Sequence, residues 1–301
     1  MKKKKQLTPE QQLQESLTQL KNYRPLDDDF MRELFRNNWA LAELVLRIIT
    51  GIKDLTLIQQ ETQYDLKRLV GAKSICLDVF GKDNQQKLYD LEIQRTDEGA
   101  VPERARYHSS AMDIEFLSEG QKFTELPTTY IIFITENDIF GAGKPVYHIR
   151  RMITDFQNRP FADRSYILYV NGAYVGDDDI GKLMHDFRCT NADDMNFELM
   201  AQATRYYKNT PEGVSYMCKV MEERIKENVE IAEYNYSLKT AERMLAKGTY
   251  TLEEIAEVTA LPLEEVQQLA DEQNSKNLIE YSQSPERQYV PDFFVFTDQI
   301  L

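Results

Sequence analysis

The chain has 301 residues, of which 42% are hydrophobic and 29% charged, and its formal net charge is −14. This length and composition allow a large buried core, and no apolar run reaches the ~20 residues that a membrane helix needs. The acidic balance argues against a protein that binds nucleic acid through its overall charge, because nonspecific affinity comes mainly from Lys and Arg. Basic residues can still cluster on one face of an acidic protein.

The N-terminus does not have the pattern of a secretory signal. Residues 2–5 are lysines, and the polar stretch that follows lacks an apolar segment, so a cytoplasmic location is expected. Cys76, Cys189 and Cys218 are too few and too scattered for a disulfide framework or a zinc site. They are expected to be reduced, small, buried side chains.

Two helices are predicted before the first strand. Thr8 is followed by proline and, three residues on, by Gln11, which is a helix-start pattern, and this helix should end near Tyr23. The second helix is predicted over residues 27–51, since apolar side chains recur on one face and Gly51 is a suitable C-terminal stop.

The next hundred residues have the short period of strands. Strands are predicted at 55–64, 74–80, 88–94, 130–135, 146–150 and 166–170. The turn-rich residues 81–84 should make the second and third strands a hairpin, and a helix over 102–117 should follow it. This order predicts an α/β fold, with helices flanking a mixed β-sheet.

From about residue 193 the pattern becomes helical. Helices are predicted at 195–207, from Pro211 toward 244, at 251–258 and at 263–269. The last two have the outline of a helix-turn-helix, but Glu264 and Glu265 at the start of the second helix would repel phosphates. A packing or oligomerisation role is therefore favoured for these helices.

Polar side chains line one face of the predicted strand 88–94. Alternation places Tyr89, Leu91 and Ile93 on one face, and Leu88, Asp90, Glu92 and Gln94 on the other. The neighbouring strand carries Asp78 among apolar residues, where a carboxylate is costly unless it is paired or binds a metal. Two carboxylates on adjacent strands suggest a shared hard cation such as Mg²⁺ or Mn²⁺.

A simpler interpretation is equally compatible with the spacing. Asp78 and Glu92 would then lie on the solvated face of a half-exposed hairpin, or they would pair with Lys73, Lys87 or Arg95.

An Asp in one strand, a turn, and Glu-x-Gln in the next strand resemble the signature of the PD-(D/E)XK nucleases. The Glu-x-Gln form is similar to that of the recombination-promoting nuclease and putative transposase family. The resemblance extends over roughly residues 25–270 and includes segments 27–35, 102–107, 123–135, 169–172 and 185–187.

The sequence pattern and the resemblance together predict four segments along the chain. They are a polar segment with a short helix (1–24), a restriction-endonuclease-like PD-(D/E)XK core (25–192), an α-helical C-terminal region (193–272) and an irregular tail (273–301).

The resemblance also implies hydrolysis of the DNA backbone with a divalent metal. Asp78 and Glu92 would be the metal ligands, together with the backbone carbonyl of Ile93. Gln94 stands where the broad superfamily has Lys, and an amide can hydrogen-bond but carries no charge and cannot act as a base. An acidic ligand from the first helix of the core stays open among Asp29, Glu33 and Glu43.

Arg104 and the three histidines are weaker candidates for a functional role. Arg104 is a candidate phosphate contact, although a surface salt bridge with Glu103 or Asp97 is the more common outcome for such a residue. His108, His148 and His185 are isolated in the sequence, and structural roles are favoured for all three.

The leading hypothesis is a cytoplasmic, Mg²⁺- or Mn²⁺-dependent DNA endonuclease of the transposase type that acts in recombination. One alternative is a catalytically silent protein on the same fold that acts through protein contacts of its C-terminal helices, possible homo-oligomer contacts included. A second alternative is RNA cleavage by the same site.

Overall fold

The computed structural model describes residues 8–66 and 75–283. The lysines at 2–5, Lys73 and the part of the expected tail from 284 to 301 lie outside the described residues. The chain divides into two compact units, Met1–Met221 and Glu222–Leu301. The four segment boundaries expected from the sequence stay a prediction.

Three helices precede the sheet, where two were predicted. They are α1 (Pro9–Asn22), α2 (Asp28–Phe35) and α3 (Trp39–Thr50). The single helix over 27–51 is wrong, because Asn37 adopts a left-handed φ of 54° and the Asn38 side chain accepts a hydrogen bond from the Leu41 N–H at 3.2 Å. Asn tolerates this conformation and is a good N-cap, so it ends one helix and starts the next.

The strands follow in the predicted order. They are β1 (Leu57–Asp65), β2 (Cys76–Asp83), β3 (Leu88–Gln94), β4 (Thr129–Thr135), β5 (Val146–Ile149), β6 (Met152–Ile153), β7 (Arg159–Pro160) and β8 (Ser165–Asn171). Six of them form one sheet in the order β1-β2-β3-β4-β8-β5, and β6 pairs with β7 separately. Because β3, β4 and β8 are parallel while the other neighbours are antiparallel, the predicted mixed sheet is confirmed.

The hairpin and the helix after it also match the prediction. β2 continues through Asp83, so the turn begins at residue 84, three residues later than residues 81–84 suggested. Helix α4 (Pro102–Phe116) then connects β3 to β4, and this crossover allows the two strands to run parallel.

The C-terminal helices include one that was not predicted. They are α5 (Asp179–Arg188), α6 (Glu198–Asn209), α7 (Pro211–Lys247), α8 (Leu252–Thr259) and α9 (Leu263–Gln283). Helix α5 contains Gly181, a poor helix former, which obscured it in the sequence. A Cβ there would lie 2.0 Å from the Gly176 carbonyl oxygen, so the close approach of that loop requires glycine.

Both faces of the sheet are covered. On one face Tyr89, Leu91 and Ile93 of β3 pack in a core that includes side chains of α2, α3, α5 and α6. On the other face Leu88 packs with Ala105 and other side chains of α4 and the strands. β3 is therefore buried on both sides, and its polar side chains face α4 rather than solvent.

The second unit, Glu222–Leu301, has a small core of its own. Ala241, Ile255, Leu261 and Val266 are buried there, and Thr251 and Glu254 form a capping box at the start of α8. Ala260, with a φ of 57°, ends α8 before α9, which extends to Gln283 and is longer than predicted.

Two expectations from composition have different outcomes. Cys76 is exposed, Cys189 is partly exposed and Cys218 is buried, so the expectation of three buried thiols is wrong for Cys76. Within residues 8–66 and 75–283, no helix combines the length and the apolar character needed to cross a membrane.

Asp186, at the end of α5, is the anchor of the loop that leads to α6. Its fully buried carboxylate accepts hydrogen bonds from the backbone N–H groups of Asn196 and Phe197 at 2.8 Å. Replacing Asp186 with Ala leaves these donors without their acceptor, and we expect the free energy of unfolding to fall by about 2–4 kcal/mol in urea titration. The exposed Asp177→Ala variant should change it by less than about 0.5 kcal/mol, and equal losses in the two variants would contradict the assignment.

Candidate metal centre

The hairpin of β2 and β3 opens at the end that carries Asp78. The ladder between the two strands extends from Lys82↔Leu88 to Val79↔Leu91. Next to it, the Asp78 N–H donates to Glu92 Oε1 at 3.0 Å, and the Ile93 N–H donates to Asp78 Oδ2 at 3.2 Å. Side-chain carboxylates thus accept the backbone donors here, and they hold Asp78 and Glu92 beside each other.

These carboxyl groups are not on a solvated surface. Glu92 and Asp90 are 0% exposed, and Asp78 is partly buried. The alternative of a wet hairpin face is therefore wrong for Glu92. Arg95, one of the partners considered for it, instead pairs with Asp27 and Glu136.

Arg104 of α4 joins the functional side chains of β3. Its Nη2 donates to Glu92 Oε2 at 2.8 Å, and its Nη1 donates to Gln94 Oε1 at 3.3 Å. Gln94 Nε2 in turn donates to Glu92 Oε2 at 3.4 Å. The Arg104 side chain is 37% exposed, so one guanidinium reaches both the buried carboxylate and solvent.

Two further residues complete the cluster, and the sequence analysis missed them. His108 Nδ1 lies 2.8 Å from Asp90 Oδ2, and Arg104 Nε donates to His108 Nε2 at 3.3 Å. Because arginine only donates, Nε2 is the acceptor, and Nδ1 carries the proton that is donated to Asp90. The signals were present: Asp90 shares a strand face with Glu92, and His108 follows Arg104 by one helical turn.

The pKa values of these groups shift in the directions that burial dictates. Burial raises the pKa of Asp78, raises that of Asp90 to about 8 and raises that of Glu92 well above its usual range. The neighbouring carboxylates Asp90 and Asp78 raise the pKa of Glu92 further. Burial lowers the pKa of His108, so the imidazole is neutral near pH 7 and does not offset the carboxylates.

The donor set fits a hard divalent cation. Asp90 Oδ1 is buried and has no hydrogen-bond partner among the residues that the structure describes, and such an orphaned acceptor is costly. Asp90, Glu92 and His108 each offer one potential ligand atom, and these three atoms lie within 4.8 Å of one another. Since the lone pair of His108 faces Arg104, the carboxylate oxygens are the available ligands, and oxygen ligands suit Mg²⁺ or Mn²⁺.

A cleft of about 370 Å³ gives access beside this cluster. It is lined by Ile93 and Gln94 of β3, by Asp28 and Asp29 at the start of α2, and by neighbouring residues. The negative charge of Asp28 also contributes to the raised pKa of Asp78. The start of α2 therefore adds carboxylates to the mouth of the site.

The acidic residues considered on the first helices have different positions. Glu33 pairs with Arg36 and accepts a hydrogen bond from Tyr216, and Glu43 pairs with Arg47. Both contribute to packing between elements, whereas Asp29 lines the cleft.

A mixed sheet whose carboxylate-bearing hairpin is covered by the following helix defines a nuclease-like PD-(D/E)XK fold. Residues 30–175 match the family described as PD-(D/E)XK nuclease family transposase. Over these residues the chain is similar to that family, and the match supports a nuclease-like function. Among curated proteins and among solved structures, none matches the chain.

The raised pKa of Asp90 predicts an unusual pH dependence of stability without metal. The folded state keeps the Asp90 proton up to a pKa of about 8, whereas the unfolded chain loses it near pH ~4. The contribution to stability is complete below pH ~4 and is lost as the pH rises through the folded pKa.

Between pH 7 and 8.5, where His108 is mostly neutral in both states, we expect the unfolding free energy in EDTA to fall by about 1 kcal/mol per pH unit. Urea titrations at several pH values measure this slope. Asp90→Asn should reduce the slope and leave the part that comes from the raised pKa of Glu92, whereas Asp177→Asn should not change it. A slope that stays unchanged in Asp90→Asn would show that Asp90 is not its source.

Proposed function

We propose that this chain is a divalent-metal-dependent endonuclease that hydrolyses DNA phosphodiester bonds, of the recombination-promoting transposase type. The observation that carries the proposal is the bridge between Asp78 and Glu92 across the open end of the hairpin. The match of residues 30–175 to the family described as PD-(D/E)XK nuclease family transposase supports it. Three free cysteines fit a reducing compartment, here the cytoplasm.

Asp78 and Glu92 are the side-chain ligands in this proposal, and the Ile93 carbonyl is the third ligand. The N–H and C=O of one strand residue point to the same side of the strand. Because the Ile93 N–H meets Asp78 Oδ2, its carbonyl also faces the β2 side, at the edge of the cleft. A Mg²⁺ or Mn²⁺ ion bound there would lower the pKa of water and offset the charge that develops on the phosphate.

Gln94 and Arg104 supply the polar functions that the cation does not. The Gln94 amide can orient a water molecule by donating or accepting a hydrogen bond, but it takes no proton. Arg104 adds a positive charge of the kind that a lysine at position 94 would have provided. Its Nη1 donates to Gln94 Oε1, so this charge lies next to the Gln94 amide. Its exposed part can donate to a phosphate oxygen.

The first test uses variants that remove a ligand charge and keep its shape. In Asp78→Asn and Glu92→Gln, metal-dependent nicking of supercoiled plasmid should fall by about 100-fold or more, while circular dichroism shows a folded protein. Asp177→Asn is the matched surface control. Cleavage that survives both substitutions, or that needs no divalent ion, would exclude this site as its source. A parallel RNA substrate separates the two nucleic acids.

Gly99 offers a test of Gln94 that does not alter either ligand. A Cβ at Gly99 would lie 2.1 Å from Gln94 Oε1, so the flexible amide must move away from its place beside Glu92. We expect Gly99→Ala to reduce the cleavage rate about 10-fold, with a stability change below about 1 kcal/mol.

A double-mutant cycle provides the control for Gly99→Ala. In a Gln94→Ala background the added methyl group has no amide to displace, so Gly99→Ala should then have little further effect. An equal loss in both backgrounds would mean that Gly99 acts by another route.

A second candidate function is a catalytically silent scaffold that acts through protein contacts. It is favoured by exposed apolar side chains on α7, among them Ile225, Val229 and Tyr236 at 57%, 49% and 72% exposure. Self-association through these helices belongs to the same candidate. Absence of nicking by the purified chain with Mg²⁺ and with Mn²⁺, together with a concentration-dependent oligomer in sedimentation, would favour it over the nuclease.

A further inference from the structure

A small hairpin projects from the sheet between β5 and β8. We name residues 148–164, which contain β6 and β7, the arginine ribbon. Its strands are joined by a five-residue loop, residues 154–158, in which Gln157 and Asn158 have φ values of 54° and 52°, as at the centre of a type I′ turn. Every residue from 148 to 162 is exposed.

The ribbon exposes apolar side chains that a surface hairpin does not need. Met152, Phe156 and Phe161 are 44%, 53% and 58% exposed. A two-stranded hairpin without a covered face is marginally stable in water, and clustered exposed apolar groups mark interaction sites. The ribbon is therefore a surface that gains stability when it meets a partner.

The charge of the ribbon indicates the kind of partner. It has four arginines and two aspartates, a balance of +2, in a chain with 36 basic and 50 acidic residues. Asp163 pairs with Arg151. The guanidinium of Arg159 lies over the Phe156 ring at 5.3 Å, and that of Arg150 lies over Tyr166 at 5.4 Å. Stacked guanidinium groups keep their donors available for phosphate oxygens.

We propose that the arginine ribbon binds the backbone of duplex DNA outside the cleavage site. The inference rests on the proposed function in taking the same substrate, and it identifies where an acidic protein would hold it. A two-stranded β-ribbon fits the major groove of B-DNA, and arginines contribute the salt-dependent part of the affinity. If the ribbon instead met an acidic protein or a second copy of the chain, the ribbon variant would keep the wild-type affinity for DNA in the test below.

The ribbon and the carboxylates lie toward opposite ends of the parallel strands. Leu88, Thr129 and Ser165 are in register at the ribbon end, and Gln94, Thr135 and Asn171 are in register at the carboxylate end. Six residue steps separate the two ends, about 20 Å along the strands, and Glu92 lies four steps from the ribbon end, about 13 Å. The ribbon should therefore affect binding of DNA but not the chemical step.

The test compares two variants of the full chain that lose the same charge. In Arg150→Gln/Arg151→Gln/Arg159→Gln the ribbon loses three cations, and in Lys226→Gln/Lys239→Gln/Arg243→Gln the second unit loses three. Binding of a fluorescein-labelled duplex of about 30 base pairs is measured by anisotropy in EDTA, which prevents metal-dependent cleavage, at about 50 to 200 mM KCl.

We expect the ribbon variant to bind the duplex about 10-fold or more weakly. The steepness with which the logarithm of its association constant falls with the logarithm of salt concentration should decrease by about 2 to 3. The control variant should stay within about twofold. Arg159→Gln alone should give a smaller loss in the same direction, which guards against misfolding of the triple variant. In cleavage assays the ribbon variant should raise KM and leave kcat unchanged.

Equal affinity losses in ribbon and control variants would overturn the inference in favour of general electrostatics. Unchanged DNA affinity in the ribbon variant would also overturn it, as would a wild-type chain that binds no duplex. The proposed function fails separately: ribbon-dependent binding without metal-dependent cleavage would contradict the nuclease and leave the ribbon. Metal-dependent cleavage with a normal KM in the ribbon variant would contradict the ribbon and leave the nuclease.

Discussion

The burial of Glu92 among other carboxyl groups is the constraint on which the rest of the site depends. Glu92 is fully buried, with Asp90 and Asp78 close enough to raise its pKa. A buried charge of this kind needs a partner, because desolvation costs several kcal/mol per ion. The Asp78 N–H and the Arg104 guanidinium supply hydrogen bonds, and a divalent cation would neutralise the charge that they leave.

The open hairpin and the covering helix follow from the same constraint. Where Asp78 and Glu92 accept backbone donors, the β2–β3 ladder can stop without leaving those N–H groups unpaired. Helix α4 then covers the polar face of β3, and Arg104 and His108 project from it one turn apart. The result is one connected network, from Asp78 through Glu92 to Arg104, His108 and Asp90.

The distribution of charge reconciles an acidic chain with a nuclease-like fold. Carboxylates concentrate at one end of the parallel strands, where a cation rather than the protein would meet the phosphate. Arginines concentrate in the ribbon near the opposite end. The net charge of the chain predicts the charge of neither region, since electrostatic recognition depends on the local potential.

The sequence by itself determined the positions of the six strands of the main sheet along the chain, the hairpin, helix α4 and the placement of Asp78 and Glu92 on adjacent strands, because period-two alternation and turn residues are local signals. It also contained the signal for the break between α2 and α3, because Asn37 and Asn38 favour a left-handed residue followed by an N-cap. Only the tertiary structure decided that Asp90 and His108 join the cluster and that Arg104 turns toward Glu92. Those contacts link residues 12 to 18 positions apart through packing of a helix on a sheet, and no local pattern specifies which way a side chain faces once both sides of a strand are buried.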